Sequence, residues 1–354
     1  MKKIAIYGAG NSATYEEIGA IELLKSNGVQ VEVLLHPDSS EADLHTARIV
    51  LSALGVHVSR YAPGDFQSLS APILSFGRPE IFQIVRKFSD KPQKLVYGEA
   101  SPVPTPSEIK ANADGLIDEL FVKGFNSVEV VKRFVRKSKR GVEFRAGYTP
   151  FCNPTSDYFH LSFQKQRPDC FHVMRCTPDE AGFAFPDHWL MVGQITCPHP
   201  REKRFHALNW GKKLSKAVGD PCAPNNFWGP LINVTVEPPS VDWSIEKDTL
   251  YKSSALVHFY PEEELFSFAA AKAMLAGTVV VASPSPAFLE LLRHDETGFF
   301  AKTPDEAAYY TSKLAWDPFL RAKIANSAYT WFTSDGPGNP DKCLRWWKEG
   351  GFCG

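Results

Sequence analysis

Short apolar runs separated by helix-like stretches recur twice along the chain, and this alternation constrains the fold more than any other feature. In the first half the strand-like runs are residues 4–7, 29–35, 56–60, 73–76, 94–97 and 119–123. Residues 15–27 read as a helix with Ile18, Ile21 and Leu24 on one face and Gly28 as its stop, and residues 48–54 as another. Such alternation implies a parallel sheet covered on both faces. The rhythm fails between Tyr148 and Pro168, where "YTPFCNPTSDYF" crowds proline, asparagine and aromatic residues. It then resumes, with strands expected at 190–193, 231–236, 256–259 and 279–282 and helices at 205–217 and 268–276. The expectation is an α/β chain of two Rossmann-like parallel-sheet domains, residues 1–155 and 156–330, with a return segment at 331–354. Two such domains facing each other bind a ligand in the cleft between them.

Composition agrees with that scale. A chain of 354 residues suits two domains of ordinary size. Its net charge of −1 argues against binding nucleic acid through bulk charge. The seven cysteines are odd in number and form no CxxC, which fits free thiols in a reducing compartment. Cys197 and His199 stand two apart with no second ligand pair nearby, so no metal site is expected. No run approaches the ~18 apolar residues of a membrane span. The basic start, Lys2-Lys3, precedes an apolar run too short for a signal peptide, and the expected location is the cytoplasm.

The first strand-like run opens into Gly8-Ala9-Gly10-Asn11-Ser12-Ala13, the outline of a dinucleotide-binding turn. An NAD site also wants an acid at the tip of the second strand, ~20 residues on. His36 holds that tip, Asp38 lies beyond Pro37, and Glu32 is too far inside the strand. Thr14 and Glu17 fit a capping box, and Glu16 and Glu17 put negative charge where a pyrophosphate would sit. The turn is either a tight strand-to-helix connection or a loop that lets a substrate approach the backbone; an NAD-dependent oxidoreductase is the alternative it leaves open.

The most informative stretch runs from Pro261 to Ala307, "PEEELFSFAAAKAMLAGTVVVASPSPAFLELLRHDETGFFAKTPDEA". A strand ends near Phe259, an acidic loop follows, and a helix starts near Ser267 and stops at Gly277. The N–H groups around Phe266, Ser267 and Phe268 would form an anion site at a strand's carboxyl end. Ser283-Pro284-Ser285-Pro286 makes a turn, Glu290 lies on the next short helix, and Gly298 is a turn position.

In this register the chain resembles the nucleotide-binding half of the retaining GT-B glycosyltransferases. Glu264, Phe266, Ala273, Met274, Gly277, Thr278, Val280, Val281, Ala282, Ser283, Glu290, Thr297 and Gly298 match that family's pattern over about fifty residues. Upstream the likeness is looser: "LMVGQI" with Glu202-Lys203 resembles the segment that binds the donor diphosphate, and Gly8, Gly10 and Asn11 resemble the glycine loop beside the acceptor. The resemblance implies a GT-B fold, transfer of a sugar from a nucleotide-sugar (a UDP-sugar first) to a hydroxyl with retention, and no need for a metal. It gives Glu264 the donor sugar and places Lys203, Gln194, Phe266, Ser267, Phe268, Lys272 and Glu290 around the donor. Two positions depart from the pattern. Lys272 replaces a ribose-binding carboxylate, and an ammonium only donates. Gln194 replaces a diphosphate-binding arginine, with Arg201, Lys203 or Arg204 as substitutes and Lys203 the best match. These departures leave open a catalytically silent sugar-nucleotide-binding module. Lys272 reads equally as an outward helix position, Glu264 as a solvated member of Glu262-Glu263-Glu264, and Glu290 as an ordinary surface acid.

On the acceptor side, Arg78 and Glu99 follow strand-like runs and are candidates beside the glycine loop. "KRFVRKSKR" gathers Lys132, Arg133, Arg136, Lys137, Lys139 and Arg140. These charges form either a solvated ridge or a surface for an anionic acceptor, such as a hydroxymethylated base in DNA flipped from the duplex. A glycan, lipid or small-molecule acceptor fits the same residues.

Overall fold

The computed structural model describes residues 3–7, 15–52, 54–62, 73–76, 80–88, 93–97, 110–111, 113–117, 119–123, 126, 128–129, 132, 143–147, 171–176, 203–208, 234–236, 253–258 and 267–349. The chain forms two compact units. One comprises Met1–Ser156, Glu264–Phe266 and Pro337–Gly354, the other Asp157–Glu263 and Ser267–Gly336.

The first unit is built on strands β1 (Lys3–Tyr7), β2 (Gln30–Leu35), β3 (His57–Arg60), β4 (Ile73–Phe76), β5 (Gln93–Tyr97), β6 (Glu119–Lys123) and β7 (Glu143–Gly147). Their order is β3-β2-β1-β4-β5-β6-β7, and the pairings are parallel. Its helices include α1 (Tyr15–Ser26), α2 (Glu41–Ser52) and α3 (Glu80–Phe88). Parallel strands are covered on both faces, and β2 shows why its sequence suits that place: Val31, Val33, Leu34 and Leu35 are all buried. Ile21 and Leu24 bury the inner face of α1. Gly28, at φ +73°, ends α1 in the left-handed conformation, while Val29 N–H donates to Leu24 O at 3.0 Å. The Lys25 ammonium crosses to the carbonyls of Leu54 and Gly55 beyond α2, where helix-end carbonyls lack partners of their own.

The second unit repeats the plan with β8 (Phe171–Cys176), β9 (Lys203–Leu208), β10 (Val234–Val236), β11 (Ala255–His258), β12 (Val279–Ala282) and β13 (Phe299–Phe300). The order is β10-β9-β8-β11-β12-β13, again parallel. In each sheet the first strand in sequence lies inside, and the order reverses on either side of it; that reversal is a topological switch point. Helices α4 (Phe268–Leu275), α5 (Pro286–Leu291), α6 (Pro304–Trp316) and α7 (Pro318–Ser334) follow, and α8 (Pro340–Glu349) belongs to the first unit. The core of the second unit is dense in small and β-branched residues: every residue of β11 and β12 is buried.

Three local expectations change. Residues 205–217 were expected to be helical, yet 203–208 form β9, because Phe205 pairs with Val173 on one side and Val234 on the other. Phe205 and Leu208 share helical spacing, but ladder pairing overrides a pattern so short. Helix α2 begins at Glu41 rather than near residue 48. Strands β7 and β8 were not expected; in β8, Phe171 and Val173 alternate with His172 and Met174, a weak period-two signal. The strand expected at 190–193 lies outside the described residues.

Candidate functional site

The switch point of the second sheet lies between β8 and β11. Ligands of open parallel sheets bind beyond the carboxyl ends of strands at such a point. The end of β8 at Arg175-Cys176 and the end of β11 at His258 lie there, the turn after β12 adjoins His258, and α4 packs against β11 and β12. In register Ala255 faces Val173 and Leu256 faces Met174, so Arg175 stands level with Val257 and Cys176 with His258.

Helix α4 forms because "FAAAKAML" combines strong helix formers with a buried surface that is apolar except for Lys272. Ala270, Ala271, Ala273 and Met274 are fully buried. Ser267 caps it from an extended conformation (φ −104°, ψ 102°), its hydroxyl accepting from Ala270 N at 3.4 Å. The cap uses the N–H of the third helical residue and leaves those of Phe268 and Ala269 at the positively polarised end of the helix. At the other end Thr278 N–H donates to Ala273 O (2.8 Å) and Gly277 N–H to Met274 O (3.2 Å), with Gly277 at φ +68°. This is a Schellman stop. The Thr278 hydroxyl then donates to Ser253 O at 3.0 Å, locking the helix exit to the foot of β11. Replacing Ser267 with Ala is expected to cost about 1 kcal/mol and lower the Tm by roughly 3 °C in thermal unfolding.

The end of β12 closes beside β11. Ser283 N–H donates to His258 O at 3.2 Å, and the His258 ring lies 5.0 Å from that of Phe288 on α5. His258, Ser283 and Ser285 are all buried. The Ser285 hydroxyl, at the cap of α5, has no hydrogen-bond partner among the described residues. Further on, Thr297 binds the backbone of Arg293 in both directions (2.8 and 2.9 Å), forming the turn that leads to β13. A methyl group at Gly298 would lie 2.8 Å from Val280 O and 2.9 Å from Leu292 Cδ2.

Lys272 is 6% exposed, so it does not occupy an outward helix position. A lysine so enclosed needs anionic company. Glu290 is half-buried on α5. Lys203 opens β9 and therefore stands at the amino edge of the sheet, whereas α4 starts from the carboxyl edge. Six residues of strand separate those edges, about 17 Å. The strand next to β11 is β8, and its basic residue one position from the carboxyl end is Arg175, which sequence reasoning did not single out. Its signal was the alternation of Phe171 and Val173 ahead of it. Phe268 opens α4. Glu264, Phe266, Gln194, Gly8, Gly10, Asn11, Arg78 and Glu99 lie outside the described residues. So do Arg133, Arg136, Lys137, Lys139 and Arg140 of the basic ridge, while Lys132 pairs with Glu129 at 2.8 Å. Among the described residues no cluster of three His, Cys, Asp or Glu side chains could hold a metal, and no helix is long and apolar enough to cross a membrane. Cys343 is shut in, donating to Pro337 O, and burial pushes its thiol up to about 12, which removes it as a nucleophile.

The pattern of the family described as glycosyl transferases group 1 matches residues 239–331, the span that holds β11, α4, β12, α5 and β13. No curated protein matches the chain in sequence. Solved structures match it over nearly its full length. Anabaena HepE, in complex with UDP-glucose, is 14% identical with a TM-score of 0.71, covering 99% of this chain and 100% of that one. A variant of S. aureus TarM, in complex with fondaparinux, alpha-GlcNAc-glycerol and UDP, is 9% identical with a TM-score of 0.71, covering 99% of each chain. Sucrose-phosphate synthase from Thermosynechococcus elongatus is 14% identical with a TM-score of 0.62, covering 99% of this chain and 98% of that one. Two parallel sheets that share the same inner strand order, with solved structures matched over nearly the whole chain, give this chain the GT-B fold, and its residues 239–331 are similar to the glycosyl transferases group 1.

Proposed function

We propose that the chain moves a sugar from a UDP-sugar to a hydroxyl acceptor, with the donor held at the switch point of the second sheet. The observation that carries this reading is the capped amino end of α4, which packs against β11 and β12 within the segment matched by the family. In glycosyl transfer the bond from the anomeric carbon to phosphate breaks, and the diphosphate leaves with the electron pair and a second unit of negative charge. Fixed N–H groups and a cation at that spot stabilise the leaving group more than they stabilise the ground state. Phe268 and Ala269 supply the N–H groups, and Arg175 supplies the cation ahead of Lys203, which stands on the far edge of the sheet. UDP as the carrier is supported by HepE and TarM, both seen with UDP or its glucose conjugate.

The finer roles rest on the resemblance. Glu264 holds the donor sugar, Lys272 and Glu290 face the nucleotide, Gly8, Gly10, Asn11, Arg78 and Glu99 face the acceptor, and the product retains its anomeric configuration. The test is donor turnover: purified protein should hydrolyse or transfer a UDP-sugar above background, and Glu264→Ala should lower that rate at least ~100-fold. UDP should raise the Tm in both proteins. Binding without turnover in the native chain would make it a silent module, and stabilisation by NAD(H) alone would restore the dinucleotide reading. A hydroxymethylated base in DNA is the finer acceptor proposal, resting on the basic ridge at 132–140. A salt-dependent gel shift with hydroxymethylated duplex would support it, and no shift at low salt would remove it.

A further inference from the structure

Strand β13 lies at an edge of the second sheet. Just past it, Ala301 N–H donates to Ala282 O of β12 at 2.8 Å and so faces the ladder. Successive amides of an extended chain point to opposite sides, so Phe300 N–H faces away from β12. Its acceptor is a side chain: Phe300 N–H donates to His294 Nδ1 at 2.9 Å. A ring nitrogen that accepts carries no proton, which fixes a neutral imidazole with its hydrogen on Nε2. Nε2 lies 3.3 Å from the Tyr310 hydroxyl on α6 and 3.6 Å from Asp295 Oδ2. The ring stands edge-on to Phe299 and Tyr310 and parallel to Phe300. Asp295 is at φ +64°, and its N–H donates to Gly298 O at 3.0 Å, closing the turn around the histidine. The His294 side chain is 38% exposed, so protons from solvent reach it.

We infer that His294 is a pH-dependent latch on β13: neutral, it holds Phe300 N–H; protonated, it releases that group and pairs with Asp295. Protonation puts a hydrogen on Nδ1, which then cannot accept and meets Phe300 N–H donor against donor. The same proton makes the ring a cation, and the Asp295 carboxylate already stands 3.6 Å from it. The two partners favour opposite charge states, as a two-state element requires. The remaining charged groups around the ring have other engagements. Arg293, in the same turn, lies over the Trp331 ring of α7 at 5.2 Å, and Glu296 follows Asp295. Before and on α6, Glu306 accepts from Lys302 N at 2.6 Å, Asp305 precedes it, and Lys313 Nζ lies 5.9 Å from the Phe299 ring. Tyr309 packs edge-on to Tyr310. Burial, and then Asp295, Glu306 and Tyr309, push the Tyr310 hydroxyl up, so it keeps its proton while the imidazole changes state. Phe300 pairs with Ala282, the last residue of β12, and Ser283 N–H binds His258 O one residue on. Opening the latch therefore loosens the strand that borders the turn beside His258.

The test is amide hydrogen exchange of the full chain by NMR at about pH 7.5 and about pH 5, with the His294 ring nitrogens read in the same samples. Exchange is expressed as protection, which removes the intrinsic pH dependence of the rate. At the higher pH Nδ1 should be unprotonated and the Phe300 amide protected. At the lower pH both ring nitrogens should carry hydrogen, and Phe300 protection should fall about 5-fold, the worth of one net hydrogen bond. His294→Asn keeps an acceptor near the place of Nδ1 that does not titrate, so its protection should be the same at both pH values. His294→Phe removes the acceptor, and its protection should be low at both. The native-chain measurement needs no variant, so a folding defect in either one leaves the test intact. A ring that stays neutral at about pH 5, or Phe300 protection that ignores its protonation, overturns the inference. So does a native pH response in His294→Asn, which would assign the effect to Asp295 or Glu306. No nucleotide enters the experiment, so the donor reading and the latch can fail separately.

Discussion

Replacing Gly298 with alanine is expected to destabilise the protein by about 3 kcal/mol, a fall in Tm of roughly 6–12 °C. The added methyl would lie 2.8 Å from Val280 O and 2.9 Å from Leu292 Cδ2. The carbonyl belongs to β12, a fully buried strand paired with β11 and β13, so it cannot yield without opening the ladder. The effect is steric, since Gly298 is not among the glycines with positive φ. Gly28 supplies the contrast. At φ +73° with nothing within 4 Å of a built methyl, its alanine variant is strained only in the backbone and should lose about 1 kcal/mol. Thermal unfolding of the two variants side by side checks the pair: equal losses would mean that the approach of β12 to residue 298 is looser than described.

Arg175→Ala is expected to lower kcat about 100- to 1000-fold while leaving the Tm within a few degrees. The argument is positional. Arg175 is one residue from the carboxyl end of β8, level with Val257 of β11, at the strand pair where the sheet order reverses. On the proposed reading a guanidinium there binds the departing diphosphate in a fixed fork, so Arg175→Lys should recover only part of the rate. Lys203→Ala serves as the comparison, with an expected effect below 10-fold because Lys203 starts its strand at the opposite edge. Steady-state rates with a UDP-sugar decide between them: a large loss in Lys203→Ala with a normal rate in Arg175→Ala would reverse the assignment.

Legibility in the sequence followed the physics of each segment. Residues 73–76 and 119–123 match their expected strands end for end, because short β-branched or aromatic runs between breakers allow little else. The α4 region was legible down to its stop, since Ser267 and Gly277 are the residue types that capping and a left-handed exit demand. Strand β8 was not: His172 and Arg175 dilute its pattern, and only its ladders with β9 and β11 make it a strand. The cation expected from the resemblance, Lys203, opens β9 at the amino edge of the sheet, whereas Arg175 lies one residue from the carboxyl end of β8.

By itself, then, the sequence determined the class of the fold and the identity of its strongest segment. Alternating periods of hydrophobicity and cap-forming residues act over a few neighbours and are written locally. Only the tertiary structure decided which strands are neighbours, that Lys272 is enclosed, and that Arg175 stands at the switch point. Those are facts of pairing between residues up to about eighty positions apart, as with Val173 and Ala255, and no local pattern carries them.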